Sequence, residues 1–338
     1  FFNNYQRFVE NRDLEDVQVE VKLRSGSVLV PRTPITIPRD SFGILPVNLN
    51  LNSAILEYAT AQPLMRMEVE GRTVVFFCAI DGIEPEFVFA PGTVAAIQSS
   101  GSSMKSDVDR RIFVPADPPG LDCVIDAQPI DGDPVQIRVL TRRQALNAHD
   151  LTVGGVRRLV ITDGPDAMEA GDAIELRSVG RRTGRVWFFP TNDGAARFSD
   201  LAWAAGEADL DVTLERLDDT DGRTRYRLGI PRDALSGGGD RPIDFLLDFD
   251  QVSDYLTVHS DGTLIGDWYY IGPHYRPSLR HWGDAAIGRE LTIELTPITP
   301  QTQVYLEDRF RPDFSIEQSI ARIDAVTPVP VYSVRLSP

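Results

Sequence analysis

The feature that most constrains this 338-residue chain is a period of two in its apolar residues. In DVQVEVKL, Val17, Val19, Val21 and Leu23 alternate with Asp16, Gln18, Glu20 and Lys22, so an extended strand carries the apolar set on one side and the polar set on the other. RELTIELTPI repeats the pattern with Leu291, Ile293 and Leu295, and shorter versions occur in VQIRVL and AIELRSV. Six Asp-Gly pairs, at 81–82, 131–132, 163–164, 193–194, 221–222 and 261–262, fall between such runs. Glycine supplies the positive φ that tight hairpins require. Helical signals are few: Thr141 is placed to cap RRQALNAH, and PRDAL at 231–235 makes one turn at most. The pattern predicts an all-β chain built from antiparallel sheets.

A chain this long exceeds what a single core usually spans, so two or three β-sandwich domains are expected. Composition is ordinary for a globular protein, and no apolar run approaches a membrane span, so no membrane partner is expected. Fifty acidic against 34 basic side chains leave a net charge of −16, which repels phosphate backbones, so nucleic acid is not expected either. QSSGSSMKSD at 98–107 is small, polar and aperiodic, and reads as a linker or mobile loop. FPTNDGAARFSDLAW at 189–203 reads as a second boundary, and SGGGD at 236–240 as a hairpin tip. The expected division is a β-domain over 1–97, the linker at 98–107, a second β-domain over 108–195 and a final one over 196–338. Cys78 and Cys123 lie in VVFFCAI and GLDCVID and read as two buried strand thiols, with a disulfide between them left open.

The densest group of acids is DRPIDFLLDFDQVSDY, with Asp240, Asp244, Asp248, Asp250 and Asp254. On an alternating strand Asp244, Asp248 and Asp250 share a face, which could hold a metal or an acid pair; the favoured reading is the polar face of a strand that buries Phe245, Leu247 and Phe249. DDTDGRT from Asp218 resembles part of a calcium loop but lacks the later bidentate acid, and a hairpin turn explains it better. The four histidines, His149, His259, His274 and His281, show no ligand spacing, and no nucleophile elbow, phosphate loop or paired-cysteine motif occurs. No metal, cofactor or catalytic residue is assigned.

The most distinctive stretch is SDGTLIGDWYYIGPHYRPSLRHWGD. Asp267, Trp268, Tyr269, Tyr270, Tyr275, Arg276 and Trp282 combine flat apolar faces with hydrogen-bonding groups, the chemistry that recognises a sugar. The same rings can instead plug the open end of a β-sandwich, and aromatics close cores more often than they make sites.

FFNNYQR, PITIPRDSFGILPVNLNL, LEYATAQPL, CAIDGIEPEF, VLTRRQALNA, DGTLIGDWYYIGPHYRPSLRHWGD and LTIELTPI follow one another along the chain. This ordered series resembles the C-terminal half of bacterial β-galactosidases of glycoside hydrolase family 35, over nearly the whole length. The resemblance implies non-catalytic β-sandwich domains, the last a galactose-binding-like jelly-roll. The parent enzyme would hydrolyse terminal non-reducing β-D-galactosides with retention, on a β/α-barrel that precedes them. Asp261-Gly262 and Asp267-Trp268 match the jelly-roll pattern, whereas Pro273, His274 and Tyr275 stand where the family usually has Trp-Glu. The chain opens FFNNYQRFVE without an initiating Met, so an upstream segment is expected to have been removed. Both catalytic glutamates belong to the barrel, so neither is carried over to this sequence. The implied partners are that barrel, seated near Phe1, Phe2, Tyr5 and Phe8, and galactosides bound by the last domain. Export to the periplasm or medium is implied by the resemblance alone.

Overall fold

The computed structural model describes residues 1–6, 9–24, 26–52, 54–99, 112–115, 117–207, 209–217, 219–235, 241–272, 274–304 and 306–337. Phe8, Pro273, Asp218, most of the expected linker and the whole 236–240 hairpin tip lie outside the described residues. The chain is nearly all β, as the alternation predicts. It divides into two compact units, one of Phe1–Gly164 with Arg185–Leu201, the other of Pro165–Gly184 with Ala202–Ser337.

In the first unit a five-stranded sheet runs in the order Val94–Ser99, Val124–Pro129, Val135–Leu140, Arg72–Cys78, Gln62–Val69. Its middle pair, Val135–Leu140 beside Arg72–Cys78, is parallel, a departure from the antiparallel expectation. That pair is covered on both faces. Phe77, Ile137 and Val139 pack with Leu56, Phe87 and Phe89 of a four-stranded sheet. Val74, Phe76 and Leu140 pack instead with Leu159, Ile161 and Phe189 of a second four-stranded sheet. A strand buried on both sides reads as a continuous run rather than an alternation, which is why all six residues of VQIRVL are buried. Arg138 within it is satisfied by Gln136 Oε1 and by the carbonyls of Leu121 and Ala196, with Phe189 and Phe198 against its guanidinium; burial lowers its pKa to about 10.

The parallel pair also joins what the sequence divides. Segments 1–97 and 108–195 contribute strands to one sheet, so the structure groups them together, and 165–184 leaves them for the second unit. Thr141 caps the helix Arg142–Leu146 through a reciprocal bond pair with Gln144, as expected. Cys78 is half-buried and Cys123 buried, and both are free thiols whose pKa burial raises, Cys123 to about 11.

The second unit is a sandwich of two antiparallel sheets. One has four strands, Asp166–Ala170, Ala173–Val179, Arg322–Leu336 and Asp244–Val252. The other has five, Thr213–Arg216, Thr224–Gly229, Glu290–Thr296, Tyr255–Ser260 and Thr263–Tyr269. Their inner faces meet in one core: Phe245, Leu247 and Phe249 from the first, Leu256, Val258, Leu291, Ile293 and Leu295 from the second. Each fully buried side chain of this size contributes about 1.5–3 kcal/mol over an exposed one. No helix among the described residues is long and apolar enough to cross a membrane.

Candidate functional site

The aromatic stretch begins as a hairpin. Tyr255–Ser260 turns into Thr263–Tyr269 through Asp261-Gly262, whose φ angles of 47° and 79° are the paired positive values a two-residue turn of this hand needs. A bulge between Val258 and His259 shifts the pairing by one, so that Tyr255 faces Tyr269 and Thr257 faces Asp267. Parity then divides the side chains. Trp268 points into the sandwich, while Asp267 and Tyr269 point out.

The inward rings form a stack. Trp268 lies on Tyr275 with centroids 5.2 Å apart and planes at 25°, and Tyr275 meets Phe249 at 5.5 Å. Trp282 closes the same cluster from the short helix Leu279–Trp282, whose first turn Ser278 caps by accepting from His281 N at 3.0 Å. Gly266 is small for a reason: a Cβ there would sit 2.6 Å from the Tyr275 hydroxyl and 3.1 Å from the Trp282 ring. Burial pushes the Tyr275 phenol up to about 12. Trp268 Nε1 is buried without a hydrogen-bond partner among the described residues. Tyr270 belongs to a neighbouring cluster with Ile298, Leu306 and Ile320, and its hydroxyl donates to the Phe310 carbonyl at 3.2 Å.

The segment that carries these rings is tied down by the Asp-rich strand. Backbone bonds from Leu247 to Pro277 and from Phe249 to Tyr275 cover the free edge of Asp244–Val252. On the outward face Asp248 receives His274 Nδ1 at 2.9 Å and Arg276 Nη2 at 2.8 Å, and that bond raises the Arg276 pKa. Asp244 accepts from Ser278 Oγ at 2.5 Å and Arg280 N at 2.9 Å. Asp244, Asp248 and Asp250 do share a face, as the alternation predicts, and the first two fasten the loop. A carboxylate so occupied by charge-assisted bonds serves as an anchor for the loop.

Outside the sandwich, the five-stranded sheet presents a different surface. Tyr255 and Tyr269 pack on one another with centroids 4.5 Å apart and planes at 33°, and the Tyr255 hydroxyl donates to Asp267 Oδ2 at 2.8 Å. That bond raises the Tyr255 pKa. Tyr269 remains 66% exposed. The rows continue across the sheet, Tyr269, Tyr255 and Thr296 in one, Asp267, Thr257, Glu294 and Arg225 in the next. Glu294 is held by Arg223 and Arg225 at 3.0 and 3.3 Å.

Other acids line cavities. Asp209, Asp211 and Asp233 line a cavity of about 350 Å³ in the second unit, and all three residues are exposed. Among the described residues four carboxyl groups depart from their ordinary pKa, and all four are lowered: Asp150 by Arg157, Glu175 by Arg177, Asp193 by Thr191 and Asp313 by Ser315. A general acid requires the opposite shift. Among the described residues no group of three His, Cys, Asp or Glu side chains could hold a metal ion.

In the first unit Phe1 is 86% and Tyr5 50% exposed, while the Phe2 ring lies against Gly43 beside Ile80. Phe1 and Phe2 line a small apolar cleft with Val17, Val19 and Pro31. Exposed apolar residues are therefore present where the interface is expected.

The seven sugar-site candidates thus separate into four places. Tyr275 and Trp282 are core and Trp268 is half-buried against them; Tyr270 is buried in its own cluster, and Arg276 is engaged with Asp248. Only Asp267 and Tyr269 stand together on an open face. Tyr255, which completes that face, escapes a reading of the aromatic stretch because it lies one strand earlier. No protein-family model matches the chain, and no curated protein matches it in sequence.

Proposed function

We propose that this chain is the non-catalytic β-sandwich portion of a β-galactosidase-like glycoside hydrolase, a scaffold that buttresses a catalytic domain and shapes the approach to it. The observation that carries the reading is the ordered motif series from FFNNYQR to LTIELTPI, which runs through both units and resembles the β-sandwich segments of that family rather than its barrel. The chemistry of the acids supports it. Retaining hydrolysis uses two carboxyl groups about 5 Å apart, one protonated in a site that excludes water. Here Asp244 and Asp248 fasten a loop, the acids lining the cavity of about 350 Å³ are exposed, and the carboxyl groups of Asp150, Glu175, Asp193 and Asp313 are all held below their ordinary range. In this reading the last unit is the galactose-binding-like jelly-roll, and the exposed residues around Phe1 and Tyr5 meet the catalytic domain.

A retaining enzyme forms a covalent glycosyl intermediate on its nucleophile. Incubating the chain with a 2-deoxy-2-fluoro-β-galactosyl fluoride and measuring its intact mass therefore tests the reading. No added mass is expected, and stoichiometric labelling of one Asp or Glu overturns it.

A second reading, that the last unit binds sugar, is favoured by one observation: Asp267, Tyr269 and Tyr255 form an ordered aromatic and carboxylate surface that the core does not use.

A further inference from the structure

We infer that the outer face of the Tyr255–Ser260 and Thr263–Tyr269 hairpin is a surface site for a neutral pyranose, with Tyr269 as the stacking platform, Asp267 as the hydroxyl acceptor and Tyr255 as the residue that fixes both. The inference rests on the sugar-binding reading of this unit and gives it a location and a ligand chemistry.

A sugar ring offers one apolar C–H face and a rim of hydroxyl donors, so its receptor needs a flat aromatic face beside an acceptor. Tyr269 supplies the face and stays 66% exposed although one side of its ring is covered by Tyr255. Asp267 supplies the acceptor. A carboxylate offers about four lone-pair sites, and the Tyr255 hydroxyl takes one of them at 2.8 Å, which orients the group and leaves acceptor capacity toward solvent. Thr257 stands directly opposite Asp267, and Thr296 opposite Tyr255, so hydroxyl-bearing side chains adjoin the pair, while Leu264 farther along the hairpin and Ile271 just beyond it are exposed as well.

The geometry selects among ligands. Asp267 beside the Tyr269 ring disfavours an anion there, while Glu294 in the same row is already paired with Arg223 and Arg225. A quaternary ammonium ion is held by rings that wall a common point, whereas Tyr255 and Tyr269 lie over one another at 33° and present a plateau. An apolar peptide would need a contiguous aliphatic surface, whereas the side chains directly opposite Asp267 and Tyr255 are Thr257 and Thr296. A neutral ring with hydroxyl groups satisfies every element of the surface.

The site is also rigid before a ligand arrives. The Asp261-Gly262 turn and the bulge at Val258 fix the register that sets Tyr255 against Tyr269. The stacked pair and the Asp267 bond hold the side chains, so little conformational entropy remains to be lost on binding.

The test is calorimetric titration of the full chain with β-1,4-galactotriose and with cellotriose, which differ in hydroxyl orientation, and with choline chloride as the cationic probe. The proposal expects saturable binding of at least one trisaccharide. Tyr269→Ala is expected to weaken it at least about tenfold, about 1.4 kcal/mol; Tyr269→Phe is expected to retain it, and Asp267→Asn to weaken it about threefold or more. Because Tyr269 is exposed, thermal unfolding of each variant separates lost contact from lost fold. Undiminished binding in folded Tyr269→Ala overturns this site while sparing the sugar-binding reading. No binding of either trisaccharide at millimolar concentration overturns both, and tighter binding of choline than of sugar overturns the ligand class.

Discussion

Trp268 and Tyr269 are adjacent in sequence and chemically alike, yet one stacks on Tyr275 in the core and the other stands 66% exposed beside Tyr255. The difference is strand parity. Trp268 shares its face with Leu256 and Val258, which bury their side chains against Phe245 and Phe249 of the opposing sheet. Tyr269 shares its face with Tyr255 and Asp267, none of which belongs to that core. An aromatic-rich segment is therefore two populations, one that holds the sandwich together and one available for contact, and composition alone cannot tell them apart.

The sharpest way to break that comparison is to truncate one ring of each kind. Trp282→Ala should cost about 3–5 kcal/mol, because a large ring leaves a cavity among Tyr275, Leu279 and Phe249. Tyr269→Ala should cost less than about 1 kcal/mol, since an exposed side chain loses only its cross-strand partner. Urea unfolding checks both, and equal losses would dissolve the distinction.

Tyr275 sharpens it through pH. Its folded-state pKa of about 12 lies above the roughly 10 of an unfolded tyrosine, so the unfolded chain releases its proton first. The stability this phenol contributes is complete below about pH 10 and is lost as pH rises toward 12, about 2 kcal/mol over the window. Unfolding free energies at about pH 9.5 and 11.5 should diverge less in Tyr275→Phe than in the parent. Tyr58, raised by burial in the first unit, adds a loss in the same direction that this variant leaves in place.

A smaller effect is expected at the anchor. Asp248→Asn exchanges charge-assisted bonds to His274 and Arg276 for neutral ones, and with Arg276 half-exposed the loss should be roughly 1–2 kcal/mol. Faster amide exchange in residues 274–278, with the core strands unchanged, would show that the carboxylate holds the loop. Unaltered exchange would reduce it to surface decoration.

The sequence makes the sandwich legible where one face is buried and the other wet. Leu291, Ile293 and Leu295 are fully buried, as their alternation predicts, and Thr141 caps its helix. Alternation fails where both faces are covered: Val135–Leu140 joins Arg72–Cys78 in a parallel pair, so that strands from the first 97 residues and from the next segment share one sheet. It overstates burial where a ribbon has little cover, and Val19 is 54% exposed in the two-stranded pairing of Leu14–Leu23 with Gly26–Ile37. The candidate site is legible in part. Asp267 and Tyr269 stand out by residue type, but Tyr255 does not. Counting back from the Asp261-Gly262 turn would set Tyr255 opposite Trp268, and only the bulge at Val258 moves it opposite Tyr269.

The acids are as divided as the aromatics. Asp244 and Asp248 fasten a loop, Asp267 faces solvent beside a tyrosine pair, and neither arrangement encloses two carboxyl groups around a scissile bond. The role proposed for this chain is to support or bind, not to hydrolyse. Its most direct test is the rate at which the purified chain releases nitrophenol from p-nitrophenyl β-D-galactopyranoside. The predicted rate equals that of buffer alone at every protein concentration; release that rises in proportion to protein and falls on substitution of one carboxylate would contradict the claim.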